Sequence, residues 1–203
     1  MNLRFLLTAF AMLGAGELHA QMPRPIPDGA VREGSLSFDG RATTGVFTGT
    51  TTAVRGEMTG GGSLSEVRGW VEAPVSTLVT GNDRRDKDLN KSMASDRYPT
   101  IRFDLTGVTP GAIRGDTADV VLEGRLSIRG VTRDAAIPAT VVMQADGIRV
   151  RGETPLSLKD YGVEGLSKLM GMLKMYDKIV VHLDLRFAAG AAAPDSALSR
   201  PAS

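Results

Sequence analysis

Residues alternate between apolar and polar along most of the middle of this chain. Leu36, Phe38 and Gly40 share one face of the stretch Gly34–Ala42. Val67, Val71, Ala73 and Val75 share a face, opposite Glu66, Arg68 and Glu72. Ile101, Phe103 and Leu105 alternate with Arg102, Asp104 and Thr106. Val120, Leu122, Leu126 and Ile128 alternate with Glu123, Arg125 and Arg129. Ile148, Val150 and Leu156 alternate with Arg149, Arg151 and Glu153, and Val181, Leu183, Leu185 and Phe187 with His182, Asp184 and Arg186. A period of two places successive side chains on opposite faces of a strand.

Each of these strands therefore has one wet face and one apolar face. Such strands pair antiparallel and pack the apolar face inward. No long helices are interleaved with them, which argues against a parallel α/β fold. The pattern leaves a sandwich or a closed barrel, and closure removes exposed edges. Two segments depart from alternation. Arg84–Ala94 is expected to form about two helical turns. Val163–Met175 carries Leu166, Leu169, Met170 and Leu173 at helical spacing. That second segment reads either as a core helix or as a lid over a cavity. Its Met170, Met172 and Met175 are unbranched and adaptable, which suits ligands of variable shape.

The flanks differ from the middle. In Met1–Ala20, Arg4 precedes a mostly apolar run from Phe5 to Gly16, and Leu18-His19-Ala20 offers a small residue at a cleavage point. That is the pattern of a secretory signal peptide, with Gln21 as the expected mature N-terminus. The run is shorter than the roughly 20 residues that a spanning helix needs. No cysteine stands at the cleavage region for lipid attachment and no arginine pair precedes the run, so general export to the periplasm is expected. Residues 21–31 hold Pro23, Pro25 and Pro27 and read as an extended lead-in. Residues 188–203 are small and polar and read as a disordered tail. The domain is expected over residues 32–187.

Composition narrows the chemistry. The chain has 203 residues and no cysteine, which excludes disulfides, zinc–thiolate sites and a thiol nucleophile. Its 24 basic and 23 acidic residues give a net charge of +1, without the basic footprint of a nucleic-acid binder. Beyond the signal peptide, His182 is the only histidine. It shares a face with Asp184 and Arg186, so it is expected on the solvent side, away from any triad or multi-histidine metal site. Asp83, Asp86 and Asp88 lack calcium-loop spacing and are interleaved with Arg84, Arg85 and Lys87. Gly60-Gly61-Gly62 reads as a hairpin loop, because no lysine and helix start follow it. The run Thr80–Asp86 reads as a hydrogen-bonded corner, in which Asn82 and Asp83 satisfy backbone amides and Arg85 pairs with a carboxylate. The competing reading is an anionic-headgroup site. Trp70 falls on the polar face of its strand and is not assigned to an interior.

Four stretches carry a resemblance: Phe47-Thr48-Gly49; Val71–Phe103, with TGNDRRDKDL and YPTIRF; Leu126–Pro138, LSIRGVTRDAAIP; and Lys159–Phe187, with DYGV and KIVVHLDLRF. In this order and spacing the chain resembles the YceI-like family from about Gly34 to Phe187. It departs from many members at Met93-Ala94, where a phenylalanine pair is common. It also has Gly40-Arg41-Ala42 in place of a histidine–glycine element. The resemblance implies an eight-stranded antiparallel lipocalin-like β-barrel, with one or two short helices near its mouth. It also implies a periplasmic, non-enzymatic carrier of a polyisoprenoid, polyprenyl or quinone lipid. The implied pore lining is Leu36, Phe38, Val71, Ile101, Phe103, Leu122, Leu126, Val150, Leu156, Leu183 and Leu185, with Leu166, Leu169, Met170 and Leu173 as lid or mouth. Inward Gly40, Gly69, Ala73, Gly124 and Gly152, and an aromatic content of 5%, would leave room inside. No catalytic residue, metal or other cofactor is expected. A membrane-protein partner and a homodimer are left open. The rival readings are a stress-related envelope protein acting through such a partner without lipid, and an enzyme on a lipid substrate with Asp104 or Asp160 facing inward.

Overall fold

The structure is a computed structural model and describes residues 24–43, 45–163, 167–168 and 173–190. Its strands are β1 (Gly29–Ala42), β2 (Gly45–Thr51), β3 (Arg55–Thr59), β4 (Arg68–Pro74), β5 (Thr100–Arg114), β6 (Thr117–Ile128), β7 (Val131–Gln144), β8 (Gly147–Ser157), β9 (Ser167–Lys168), β10 (Leu173–Lys174) and β11 (Lys178–Ala189). Among the described residues one α-helix, α1, spans Asp83–Met93. All pairings are antiparallel. The sheet runs β11-β8-β7-β6-β5-β4-β3-β1 and closes where β1 pairs with β11, so eight strands form a barrel. β2 lies outside that circuit, paired with β1 and bridged at Thr50 to Val79. Closure hides the backbone edges that an open sheet would expose.

The expected alternation sets the register. Leu36 faces Leu183 across β1–β11, Phe103 faces Leu126 across β5–β6, and Leu185 faces Val150 across β11–β8. Opposed partners share a face of the sheet, so each pair puts two apolar side chains inside. The outer face carries ion pairs between strands. Asp184 accepts from Arg149 at 2.7 Å and Arg151 at 3.1 Å, and Arg102 spans Glu72 and Asp104. Exposed pairs of this kind contribute little each, about 0–1 kcal/mol.

The interior packs at its two ends. One buried cluster holds Met58, Val67, Val108, Val120, Val141, Ile148, Leu185 and Phe187, closed over by Ile26 and Leu64. The other lies at the α1 end and holds Phe38, Val75, Leu78, Met93, Ile128, Leu158, Tyr161 and Ile179.

Several details differ from the sequence reading. β1 begins at Gly29, inside the expected lead-in, and β11 runs to Ala189, inside the expected tail. Gly29 pairs with Ala189 and Ala30 with Ala188, so these residues belong to the closing seam. The helical spacing after Val163 does not produce a helix over Leu173–Lys174, which pairs antiparallel with Ser167–Lys168. Of the expected lid, Leu166, Leu169 and Met170 lie outside the described residues. The backbone of Leu173 belongs to β10. Met175 bridges to Ala42 of β1 and packs against the α1-end cluster.

Candidate functional site: an apolar cavity inside the barrel

Between the two packed ends the barrel holds a cavity of about 580 Å³. All the side chains expected at the pore border it: Leu36, Phe38, Val71, Ile101, Phe103, Leu122, Leu126, Val150, Leu156, Leu183 and Leu185. Phe38, Val150 and Leu185 also belong to the packed ends. The others point into the barrel yet are only partly buried. An inward apolar side chain that keeps accessible surface faces empty volume, since protein interiors otherwise pack to crystal-like density. The volume falls within the roughly 300–1,000 Å³ of small-molecule pockets.

Glycine makes less of this room than the sequence suggests. The rings of Phe47 and Phe103 occupy the space beside Gly40 and Gly124. Ala73 is buried at 1%. Gly69 lies against the backbone of Glu57 and Met58, and Gly152 against Ala139 and Ile137. The room comes instead from ordinary leucine and valine positions at mid-barrel, which opposing side chains do not reach.

Helix α1 stands at one end of the cavity. Asn82 caps it, its side-chain oxygen accepting from the Arg85 N–H at 3.0 Å. Ala94 ends it in the left-handed conformation at φ 49°. Leu89 and Met93, four residues apart, pack on the α1-end cluster, while Arg84, Arg85, Asp88 and Ser92 border the cavity as a polar rim. The Thr80–Asp86 corner locks the helix start. The Asp86 carboxylate accepts from the Thr80 N–H at 2.9 Å and the Thr80 hydroxyl at 2.5 Å. Asp86 also sits in the first turn, where the helix dipole favours negative charge. The expected Arg85–carboxylate pairing is indirect. Arg85 Nε donates to Thr80 Oγ1 at 3.0 Å, and its guanidinium lies 4.4 Å from the centroid of the Phe47 ring. Phe47 in turn meets Phe38 edge-to-face at 6.1 Å. The corner is thus tied to the cavity wall through one arginine and two rings.

The remaining polar candidates face outward. His182 lies between Asp39 (3.0 Å) and Glu153 (3.3 Å) on the outer face. Asp104 pairs with Arg102, whose guanidinium stacks 4.5 Å from the centroid of the Trp70 ring. Asp160 is exposed. Asp104 and Asp160 therefore do not line the interior cavity, whereas Asp88 stands at its rim. Tyr161 is buried at the α1 end, and desolvation raises its phenol above the ordinary value.

A family model for the YceI-like domain matches residues 31–187. The chain belongs to the YceI-like family. Among solved structures, this YceI-like chain is similar to BcnA of Burkholderia cenocepacia, with TM-score 0.63 and 15% identity over 75% of this chain and 95% of that one. It is also similar to a polyisoprenoid binding domain from Saccharophagus degradans, with TM-score 0.62 and 14% identity over 81% and 99%. A YceI protein of Campylobacter jejuni matches with TM-score 0.50 and 17% identity over 94% and 100%. At these identities the likenesses show the barrel fold. No curated protein matches the chain.

Proposed function

We propose that this YceI-like protein is an exported, periplasmic, non-enzymatic carrier that holds an isoprenoid-type lipid, a polyprenyl chain or a quinone, inside its barrel. One observation carries the reading: an apolar cavity of about 580 Å³ lies between two packed ends, lined by inward leucine, valine, isoleucine and phenylalanine side chains. The family supports a lipid as occupant. Burying apolar surface contributes about 25 cal/mol per Å², so a branched hydrocarbon of this size binds well even after the cost of association. The polar rim from α1 suits the ligand's polar end. Export rests on the signal-like pattern of residues 1–20.

The test offers delipidated protein a polyprenyl alcohol and a ubiquinone analogue and weighs the complexes by native mass spectrometry. A one-to-one complex with either is expected, and the Leu183→Arg variant, with a charge inside, is expected to lose it. A folded Leu183→Arg protein that still takes up lipid would show that the chain sits elsewhere.

A further inference from the structure

β7 and β8 are neighbours in the barrel, but they pair over only part of their length. Their register runs from Gln144↔Gly147 to Ala139↔Gly152 and stops. Beyond it, β7 continues back to Val131 along β6, and β8 continues to Ser157 along β11. Residues 131–138 of β7 have no register partner among residues 153–157 of β8.

The sequence explains the parting. Pro138 stands beside the last pair and Pro155 three residues past it, and proline has no N–H to give a ladder. Arg133 lies opposite the cavity-lining Leu126, so it occupies the inward phase of its strand. Prolines and an inward-phase charge are devices that keep a strand edge from pairing. At the far end the strands are tied again, by side chains. Arg133 Nε donates to the Asp160 carbonyl at 2.5 Å, and the Arg129 guanidinium donates to the Gly162 carbonyl. The result is a window about 15 Å long, at 3.3 Å per residue, bounded by the Ala139–Gly152 pair and by two arginine ties.

The window meets the cavity. A depression on the outer surface is walled by Ala135 and Ala136 on the β7 side and Thr154, Pro155 and Leu156 on the β8 side. Leu126, Thr154 and Leu156 line both this depression and the interior cavity. Ala135 and Ala136 are the depression's smallest β7 side chains, and Thr132, Arg133 and Asp134 complete that wall.

We propose that this window is a lateral portal through which the lipid's apolar chain enters and leaves the barrel, with Arg129 and Arg133 as its latch. The proposal rests on the carrier reading. Sideways passage lets a long chain slide in without dismantling the packed ends or displacing α1, and the ties break at a cost of two hydrogen bonds rather than a ladder.

The experiment uses retinol, a fluorescent isoprenoid alcohol, moving between the protein and phosphatidylcholine vesicles. The chain has no cysteine, so an Ala136→Cys/Pro155→Cys variant can be bridged across the window by a short, reducible bis-thiosulfonate after folding. Bridging is expected to slow uptake and release at least tenfold with equilibrium affinity held within about twofold, and reduction is expected to restore both rates. A bridge between Thr109→Cys and Val121→Cys, register partners in the β5–β6 ladder, is expected to change neither. An Arg129→Ala/Arg133→Ala variant is expected to speed release severalfold. Unchanged rates with the window bridged would overturn the portal and send the chain past α1. Parent protein that takes up no retinol, polyprenyl alcohol or quinone would overturn the carrier reading and the portal with it.

Discussion

The ring of Phe47 fills the place of the side chain that Gly40, its partner across β1–β2, lacks: a Cβ at Gly40 would lie 2.6 Å from the ring's Cζ. The relation is reciprocal, since the Phe38 ring covers Gly49, its own partner on β2. A phenyl ring over a cross-strand glycine restores packing where the sheet bends sharply. Gly40→Ala is therefore expected to overpack the α1 end and destabilise the fold by about 1–3 kcal/mol. Gly107→Ala is the comparison. Its Cβ would meet only the Glu123 side chain, no nearer than 3.4 Å, and a change within about 0.5 kcal/mol is expected. Urea unfolding midpoints of the two variants check both.

Asp86 binds both the backbone N–H and the hydroxyl of Thr80. Asp86→Ala leaves these donors without their acceptor and removes a negative charge from the first turn of α1. The expected loss is about 1–3 kcal/mol, with α1 loosening before the barrel. Hydrogen exchange should show faster amide exchange in Asp83–Met93 while β5 and β6 stay protected. Uniform protection across the variant would contradict the assignment of this corner to α1.

The alternation that places Leu36, Leu122 and Leu183 inside is plain in the sequence, because one buried face imposes a period of two. Less legible is β7, where Val142 on the outer side and Ala135 and Ala139 on the inner side erase the contrast between faces. The β7–β8 window was equally hidden: Pro138 and Pro155 mark it, but each reads as an ordinary strand proline until the register shows them beside the same break. Likewise, Gly40 and Gly124 suggest open space in one dimension, and only the cross-strand partner reveals the ring that takes it. Leucine spacing after Val163 mimics a helix although Leu173–Lys174 pairs as a strand, so local periodicity there loses to cross-strand pairing.

Acid should weaken the outer seam. Hydrogen bonds from Arg149 and then Arg151 hold the Asp184 carboxyl below its ordinary 3.8. Asp39 is likewise lowered, by Thr48 first and then His182, and Asp146 by Arg186. A carboxyl with a depressed folded value binds fewer protons than in the unfolded chain. Its contribution is complete above about pH 4 and fades as pH falls through the folded value. Stability is expected to drop below about pH 4, and less steeply in Asp184→Asn. Thermal midpoints between pH 3 and 6 that fall equally in both proteins would contradict this role for Asp184.

If residues 1–20 direct export, the protein recovered from a bacterial periplasm has Gln21 at its N-terminus. Intact mass measurement distinguishes this form from the full chain, and cytoplasmic retention of the uncleaved chain would contradict the export proposal.

The most direct test of the lipid-carrier account is native mass spectrometry of protein purified from a periplasm, followed by organic extraction of whatever travels with it. The account predicts a stoichiometric adduct that extracts as an isoprenoid-type lipid. A ligand-free mass, with no uptake when polyprenyl alcohols and quinones are supplied, would contradict it.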